Sequence, residues 1–172
     1  MWVFWVVCAV VLLFGFVVFR GAPYVPSMRR YVKQALTQLY PLGDKDTLVD
    51  VGSGDGIVLR IASGLGARAV GYELNPVLVA ISRALSRKDP NVTVRLVDFW
   101  LTKLPDDTTV VYGFMVTRDM PKMARKMQQE VNRLNKTLHF VTYGNQISGI
   151  KPTKTLGPYY HYAFHPLHTD KA

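Results

Sequence analysis

The sequence predicts an α/β domain built on a doubly wound, mostly parallel sheet. Three observations predict it. Strand-like and helix-like stretches alternate four times along the chain. A glycine-rich turn follows the first strand and opens a helix, as in nucleotide-binding α/β folds. The C-terminal stretches then turn to strands alone, which predicts an antiparallel edge hairpin. The chain has 172 residues, the size of one domain, and carries a net charge of +9. Its single cysteine, Cys8, excludes a disulfide framework and a four-cysteine zinc site, and no metal site is predicted.

The elements follow in order. Trp2 to Phe19 holds no charged side chain. At about 1.5 Å per residue a helix over it spans roughly 27 Å, close to a hydrocarbon core of about 30 Å. Nothing basic precedes this run except the amino terminus, and Arg20 follows it directly. An uncleaved single-pass anchor over residues 1–19 is therefore expected, contacting the bilayer through residues 2–19, and Cys8 within it is a packing residue. Arg20, Arg29, Arg30 and Lys33 form a basic flank. By the positive-inside rule the domain lies on the cytoplasmic side, or the matrix side of an organelle. The absence of an Arg/Ser-rich transit segment favours a prokaryotic plasma membrane.

Gly21 to Ser27 is a Pro-rich linker. Met28 to Tyr40 has helical spacing, so residues 20–44 read as linker and pre-domain helix and 45–172 as the main domain. Thr47 to Val51 is a buried strand, and Ile57 to Gly64 a helix. Ala69 to Tyr72 is a second strand, closed by Glu73. Asn75-Pro76 caps and opens a helix that runs to about Arg87. Val92 to Leu96, Thr109 to Phe114 and Leu138 to Tyr143 are further strands. Pro121 to Leu134 reads as a basic surface helix. Tyr159 to Phe164 alternates and should pair with a strand near Thr153 to Leu156.

The chemistry concentrates at the ends of the early strands. The first strand ends in Asp50-Val51-Gly52-Ser53-Gly54-Asp55-Gly56. The dinucleotide fingerprint G-x-G-x-x-G would place its third glycine at Ile57. A pyrophosphate would also meet Asp50 and Asp55, which repel it. The same carboxylates suit a ligand bearing an ammonium and a sulfonium, namely S-adenosylmethionine. Glu73 can accept both ribose hydroxyls. Asp98 can accept from an adenine amino group, and Phe99 can stack on the ring. For the acceptor, Tyr112 and Phe114 at the end of the fourth strand are the candidates, with Tyr24 and Tyr159 behind them. The histidines His161 and His165 read as surface or packing residues.

The loop and the segment Gly71-Tyr72-Glu73-Leu74-Asn75-Pro76 resemble seven-strand S-adenosylmethionine-dependent methyltransferases. The N-terminal apolar segment, the Pro-Tyr-Val-Pro linker at 23–26 and Asp98-Phe99-Trp100 narrow the resemblance. They resemble the membrane-anchored protein-lysine methyltransferases whose mitochondrial members modify the small membrane-ring protein of ATP synthase and the adenine nucleotide carrier. The resemblance implies cofactor contacts from Asp50, Gly52, Ser53, Gly54, Asp55, Gly56, Glu73, Leu74 and Asn75, with Asp98 and Phe99 near adenine. It also implies that the linker from Tyr24 to Pro26 covers the mouth of the site. The family loop is usually followed by Arg, where this chain has Ile57.

The resemblance implies a lysine of a membrane protein as acceptor. From the residues alone, a lipid or quinone headgroup is an open alternative. So is a non-enzymatic, membrane-tethered module that binds through its basic charge. Nucleic acid is not an expected partner, because no aromatic residues interleave the basic helix.

Overall fold

The computed structural model describes residues 1–5, 8 and 28–167. Most of the predicted anchor, the linker with Tyr24, and residues 168–172 lie outside the described residues. Among the described residues no helix is long and apolar enough to cross a membrane.

Helix α1 (Arg29–Gln34) continues into a wider π-type turn over Ala35–Leu39. Strand β1 (Thr47–Val51) leads through the glycine loop to α2 (Ile57–Gly64). Strand β2 (Arg68–Glu73) leads to α3 (Pro76–Leu85), and β3 (Val92–Leu96) to a 3-10 turn at Phe99–Leu101. Strand β4 (Val110–Phe114) precedes α4 (Met120–Leu134). Strands β5 (Leu138–Tyr143), β6 (Lys154–Leu156) and β7 (Tyr159–Phe164) complete the chain.

The seven strands form one sheet in the order β3-β2-β1-β4-β5-β7-β6. The first five run parallel, and β7 enters antiparallel between β5 and β6. The reversal beside β1 is the switch point at which doubly wound sheets bind ligands. The predicted α/β class and its edge hairpin are both present.

Two apolar layers sandwich the sheet. One joins Val32, Leu36 and Leu39 of the α1 segment to Leu48, Leu59, Val110 and Val141. The pre-domain helix is therefore part of the same core as the sheet. The other layer lies under α4 and contains Met123, Met127, Val131, Val49, Val70 and Phe140. Unbranched methionines fill the irregular gap between a helix and a twisted sheet.

Helix α4 is a basic surface helix as read, with Lys122, Arg125 and Arg133 exposed, but several of its cations are also tied back onto the protein. Buried Glu130 pairs with Lys126 at 3.0 Å and Arg133 at 2.8 Å. Arg133 also reaches Asp106 and the Leu104 carbonyl, and Lys136 donates to the Asp106 carbonyl. Lys122 lies over the Trp100 ring, 4.1 Å from its centre. These contacts satisfy the loop between β3 and β4, while Arg125 stands exposed on the outer face of the helix.

Candidate active site

The site is built at the carboxyl ends of β1, β2 and β4. The glycine loop reverses direction through three left-handed residues, Gly52 (φ 72°), Gly54 (φ 55°) and Gly56 (φ 79°). Side chains rarely adopt such angles. A Cβ at Gly52 would meet nothing within 4 Å, so the loop leaves open space there. Gly71 on β2 has the opposite reason. A Cβ there would lie 2.5 Å from Ser53 Oγ and 2.6 Å from Leu59 Cδ1, so the loop and α2 can close down only on a glycine.

Asp55 accepts from Ile57 N–H at 3.1 Å and pairs with Arg60 at 3.4 Å. Arg60 also donates to the Asp55 carbonyl at 2.6 Å. The loop thus receives its arginine from one turn into α2 instead of the position held by Ile57. Arg60 thus offsets the charge of Asp55, whereas among the described residues Asp50 and Glu73 have no ion pair with a basic side chain.

Asp50 is 3% exposed. Burial, followed by the charges of Glu73 and Asp55, pushes its carboxyl well above the ordinary carboxylate range. Such a site is relieved by a cation. Glu73 is buried as well, and it is already engaged. Its Oε1 accepts from Leu74 N–H at 2.9 Å and Asn75 N–H at 2.8 Å, and its Oε2 accepts from Gly54 N–H at 2.9 Å. A carboxylate oxygen has two lone pairs, so Oε2 keeps one free. In this arrangement Glu73 has one Oε2 lone pair left for a hydroxyl donor. Accepting two hydroxyls, as the sequence reading expects, would require it to release a backbone N–H. Asn75 is buried and caps α3, accepting from Val77 N–H at 2.9 Å.

Asp98 caps the following 3-10 turn through Oδ1, which accepts from Trp100 N–H at 2.8 Å. Phe99 is 5% exposed and packs against Tyr72 and Trp100. Its ring belongs to the core layer under α4, so the expected stacking surface for adenine is not presented by Phe99. Sequence alone shows an aromatic beside a strand-end acid, but not which way it turns.

An aromatic row runs across β4, β5 and β7. Asp50 is the register partner of Tyr112 across β1 and β4. Two residues further along, Phe114 pairs with Tyr143, and Tyr143 pairs with Tyr159. Side chains two apart on a strand share a face. Ring centres are 5.5 Å apart for Phe114–Tyr143, 5.0 Å for Tyr143–Tyr159 and 6.5 Å for Tyr112–Tyr159. Tyr112 and Tyr159 are buried, whereas Tyr143 is 37% exposed and stands at the rim. Burial is the main effect on the Tyr159 hydroxyl and raises it above its ordinary pKa. Tyr143 was missed in the sequence. Its signal was available in the even spacing of His139, Val141 and Tyr143 along β5. Two loops meet beside this row, where Asn145 donates to the Met115 carbonyl at 2.7 Å and accepts from Thr117 at 2.9 Å. Tyr24 lies outside the described residues.

A family model of the ANTKMT methyltransferase domain matches residues 50–154, from the buried acid of β1 to the start of β6. The chain belongs to the ANTKMT methyltransferase domain family. This ANTKMT-family chain is 36% identical over 112 residues to an ATP synthase C-subunit lysine N-methyltransferase from Xenopus laevis, covering 63% of this chain and 48% of that one. It is 34% identical over 113 residues to an adenine nucleotide translocase lysine N-methyltransferase from Mus musculus, with the same coverage of each chain. The chain thus spans about half the length of these curated relatives. Among solved structures, it resembles an RNA methyltransferase from Salinibacter ruber in complex with S-adenosyl-L-homocysteine. The TM-score is 0.74 at 23% identity, over 86% of this chain and 98% of that one. That likeness establishes the fold.

Proposed function

We propose that this chain is an S-adenosylmethionine-dependent methyltransferase that modifies a lysine of a membrane protein from a membrane-tethered domain. The observation that carries the reading is the buried Asp50 beside Glu73, set next to the aromatic row. One half of the site calls for a cation, and the other can strip water from an amine. The family and its curated relatives support the lysine acceptor.

The residues fit the cofactor. Asp50 faces the region where an ammonium or sulfonium would relieve its buried charge, Glu73 offers one lone pair to the ribose, and the open space at Gly52 admits the ligand backbone. Asp98 keeps Oδ2 for the adenine amino group. S-adenosylmethionine would supply an electrophilic methyl on a good leaving group. The protein's task is then positioning and desolvation. A free lysine has a pKa near 10.4 and must lose its proton to react. Tyr112, Phe114, Tyr143 and Tyr159 disfavour the charged amine by burial, yet their rings can guide the cation in.

The tether rests on the uncharged run from Trp2 to Phe19 and the basic flank after it, which favour a single span with the domain on the cytoplasmic side. A linker of eight residues from Arg20 to Ser27 reaches roughly 25 Å if extended, which keeps the site near the headgroups. The pairing of Lys126 and Arg133 with buried Glu130 takes two of the α4 cations away from a purely electrostatic binding module.

The deciding experiment incubates membranes with methyl-labelled cofactor and either wild-type protein or Asp50→Asn. Label on a lysine of a membrane protein, lost in the variant, is the expected result. Label confined to lipids or quinones would reject the lysine acceptor and keep the methyltransferase. No transfer to any acceptor, with no cofactor binding, would reject both.

A further inference from the structure

Helix α3 is inverted for a helix at the edge of a soluble domain. It turns Val79 and Ser82 inward, and Ser86 follows them at its C-cap. The hydroxyls of Ser82 and Ser86 are buried without a hydrogen-bond partner. Its outward residues include Val77, Ile81 and Leu85, which are 45%, 42% and 57% exposed. Spaced by four, they form one stripe along the helix. The inner serine has a cause. A Cβ on Gly56 would lie 2.1 Å from Ser82 Oγ, so the glycine loop presses against α3 where only a small side chain fits. That contact does not require the outer face to be apolar. Beside the helix, edge strand β3 exposes Leu96, and Leu101 beyond it is 83% exposed. A soluble sheet edge is normally guarded by charge.

The charges on this helix are of one sign. From Leu74 to Lys88 the chain has no carboxylate and three cations, Arg83, Arg87 and Lys88. Arg83 is tied to the Val94 carbonyl through Nε at 3.0 Å and Nη2 at 2.8 Å. Arg87 and Lys88 stand exposed at the end of the apolar stripe. An apolar stripe flanked by cations matches the headgroup layer of an anionic bilayer. A second copy of this face would bring like charges together and is disfavoured.

We propose that the outer face of α3 lies in the interfacial layer of an anionic membrane, as an attachment separate from residues 2–19. Asn75 caps α3 and Glu73 lies just before it, so this docking holds the cofactor end of the sheet beside the bilayer surface. The inference rests on the proposed tether only for bringing a bilayer near, and not on methyl transfer.

The test uses the full chain with Cys8→Ser and Ile81→Cys, carrying an environment-sensitive fluorophore at position 81. A Gln129→Cys version places the same probe on α4, across the sheet. Each is mixed with phosphatidylcholine vesicles, with or without phosphatidylserine, containing nitroxide-labelled lipid. The expected result is flotation with the vesicles and lipid quenching several-fold stronger at position 81 than at 129. That quenching should need phosphatidylserine and weaken with Arg87→Glu and Lys88→Glu. Flotation with the probe at 81 still open to an aqueous quencher would overturn the docking and leave the tether standing. No flotation and an aqueous probe would overturn both. Shielding that follows protein concentration without lipid would assign the face to a second copy and overturn the proposal.

Discussion

His139 Nδ1 and His161 Nε2 lie 2.9 Å apart, on neighbouring strands of the same sheet face. One of the two nitrogens must donate and the other accept, so the pair shares a single proton. Tyr40, delivered by the π-type turn after α1, packs on both rings and donates to Asp46 at 2.8 Å. Burial and that carboxylate push the Tyr40 hydroxyl up to about 12. Nδ1 of His161 is buried with no partner.

Acid should therefore loosen this end of the sheet. Burial first, then His139 and Lys154, bring His161 from its ordinary 6.5 down to about 4. Burial is also the main effect that lowers His139, against an opposing pull from Asp46. Above about pH 6.5 both folded and unfolded chains hold the histidine neutral, and its contribution to stability is fully present. Between about 6.5 and 4 the unfolded chain takes up a proton that the folded chain does not. Stability then falls as pH falls. Thermal unfolding across this window should show a declining Tm, with a shallower decline in His161→Gln. Equal slopes for the two proteins would reject the assignment.

Cofactor binding should release a proton in the pH range where the ligand-free Asp50 carboxyl is still protonated. Asp50 sits well above its ordinary range without a cation beside it, and an ammonium or sulfonium next to it favours the charged carboxylate. Calorimetric titration in two buffers of different ionisation enthalpy would measure the release. It should vanish in Asp50→Asn, and buffer-independent heats in the wild type would contradict the role given to Asp50.

Tyr143→Ala should weaken acceptor use and spare the cofactor. A cation–π contact is worth about 0.5–2 kcal/mol, so kcat/KM for the acceptor should drop roughly 2- to 30-fold. Tyr143→Phe keeps the ring and should stay near wild type. An equal loss in both variants would point to the hydroxyl, and a loss of cofactor affinity would point to a folding defect.

Glu73→Ala should destabilise the protein even without ligand. It orphans the N–H groups of Gly54, Leu74 and Asn75, each of which the carboxylate accepts. A single buried unsatisfied donor costs about 1–3 kcal/mol. Urea unfolding of the ligand-free variant should therefore show a loss of at least that size. Gly71→Ala should lose about 1–3 kcal/mol by overpacking against Ser53 and Leu59. A wild-type midpoint in either variant would refute the corresponding contact.

Strand limits at Thr47–Val51, Val92–Leu96, Leu138–Tyr143 and Tyr159–Phe164 were legible because β-branched or alternating runs end at turn residues. The cap at Asn75 was legible because proline at the next position leaves it one role. Facing was harder to read. Phe99 turns into the core, and Tyr143 joins Phe114 and Tyr159 only through the registers of β4, β5 and β7. The His139–His161 contact likewise needs the antiparallel register, since 22 residues separate the two. The outward face of α3 was not legible either, because the closeness of Gly56 to Ser82 that sets its inner face joins residues 26 apart.

The insertion of β7 between β5 and β6 sets an order of assembly during synthesis. The carboxylates of β1 and β2 leave the ribosome early, while Tyr159, which closes the aromatic row, emerges on the last strand. At about 5–20 residues per second, roughly 4–17 s separate Glu73 from Tyr159. Strand β6 has β7 as its partner in the sheet and must wait for it. A chain cut short before Tyr159 would carry the carboxylates of the site with an aromatic row still open at one end, so translation itself finishes the acidic half of the site before its aromatic half.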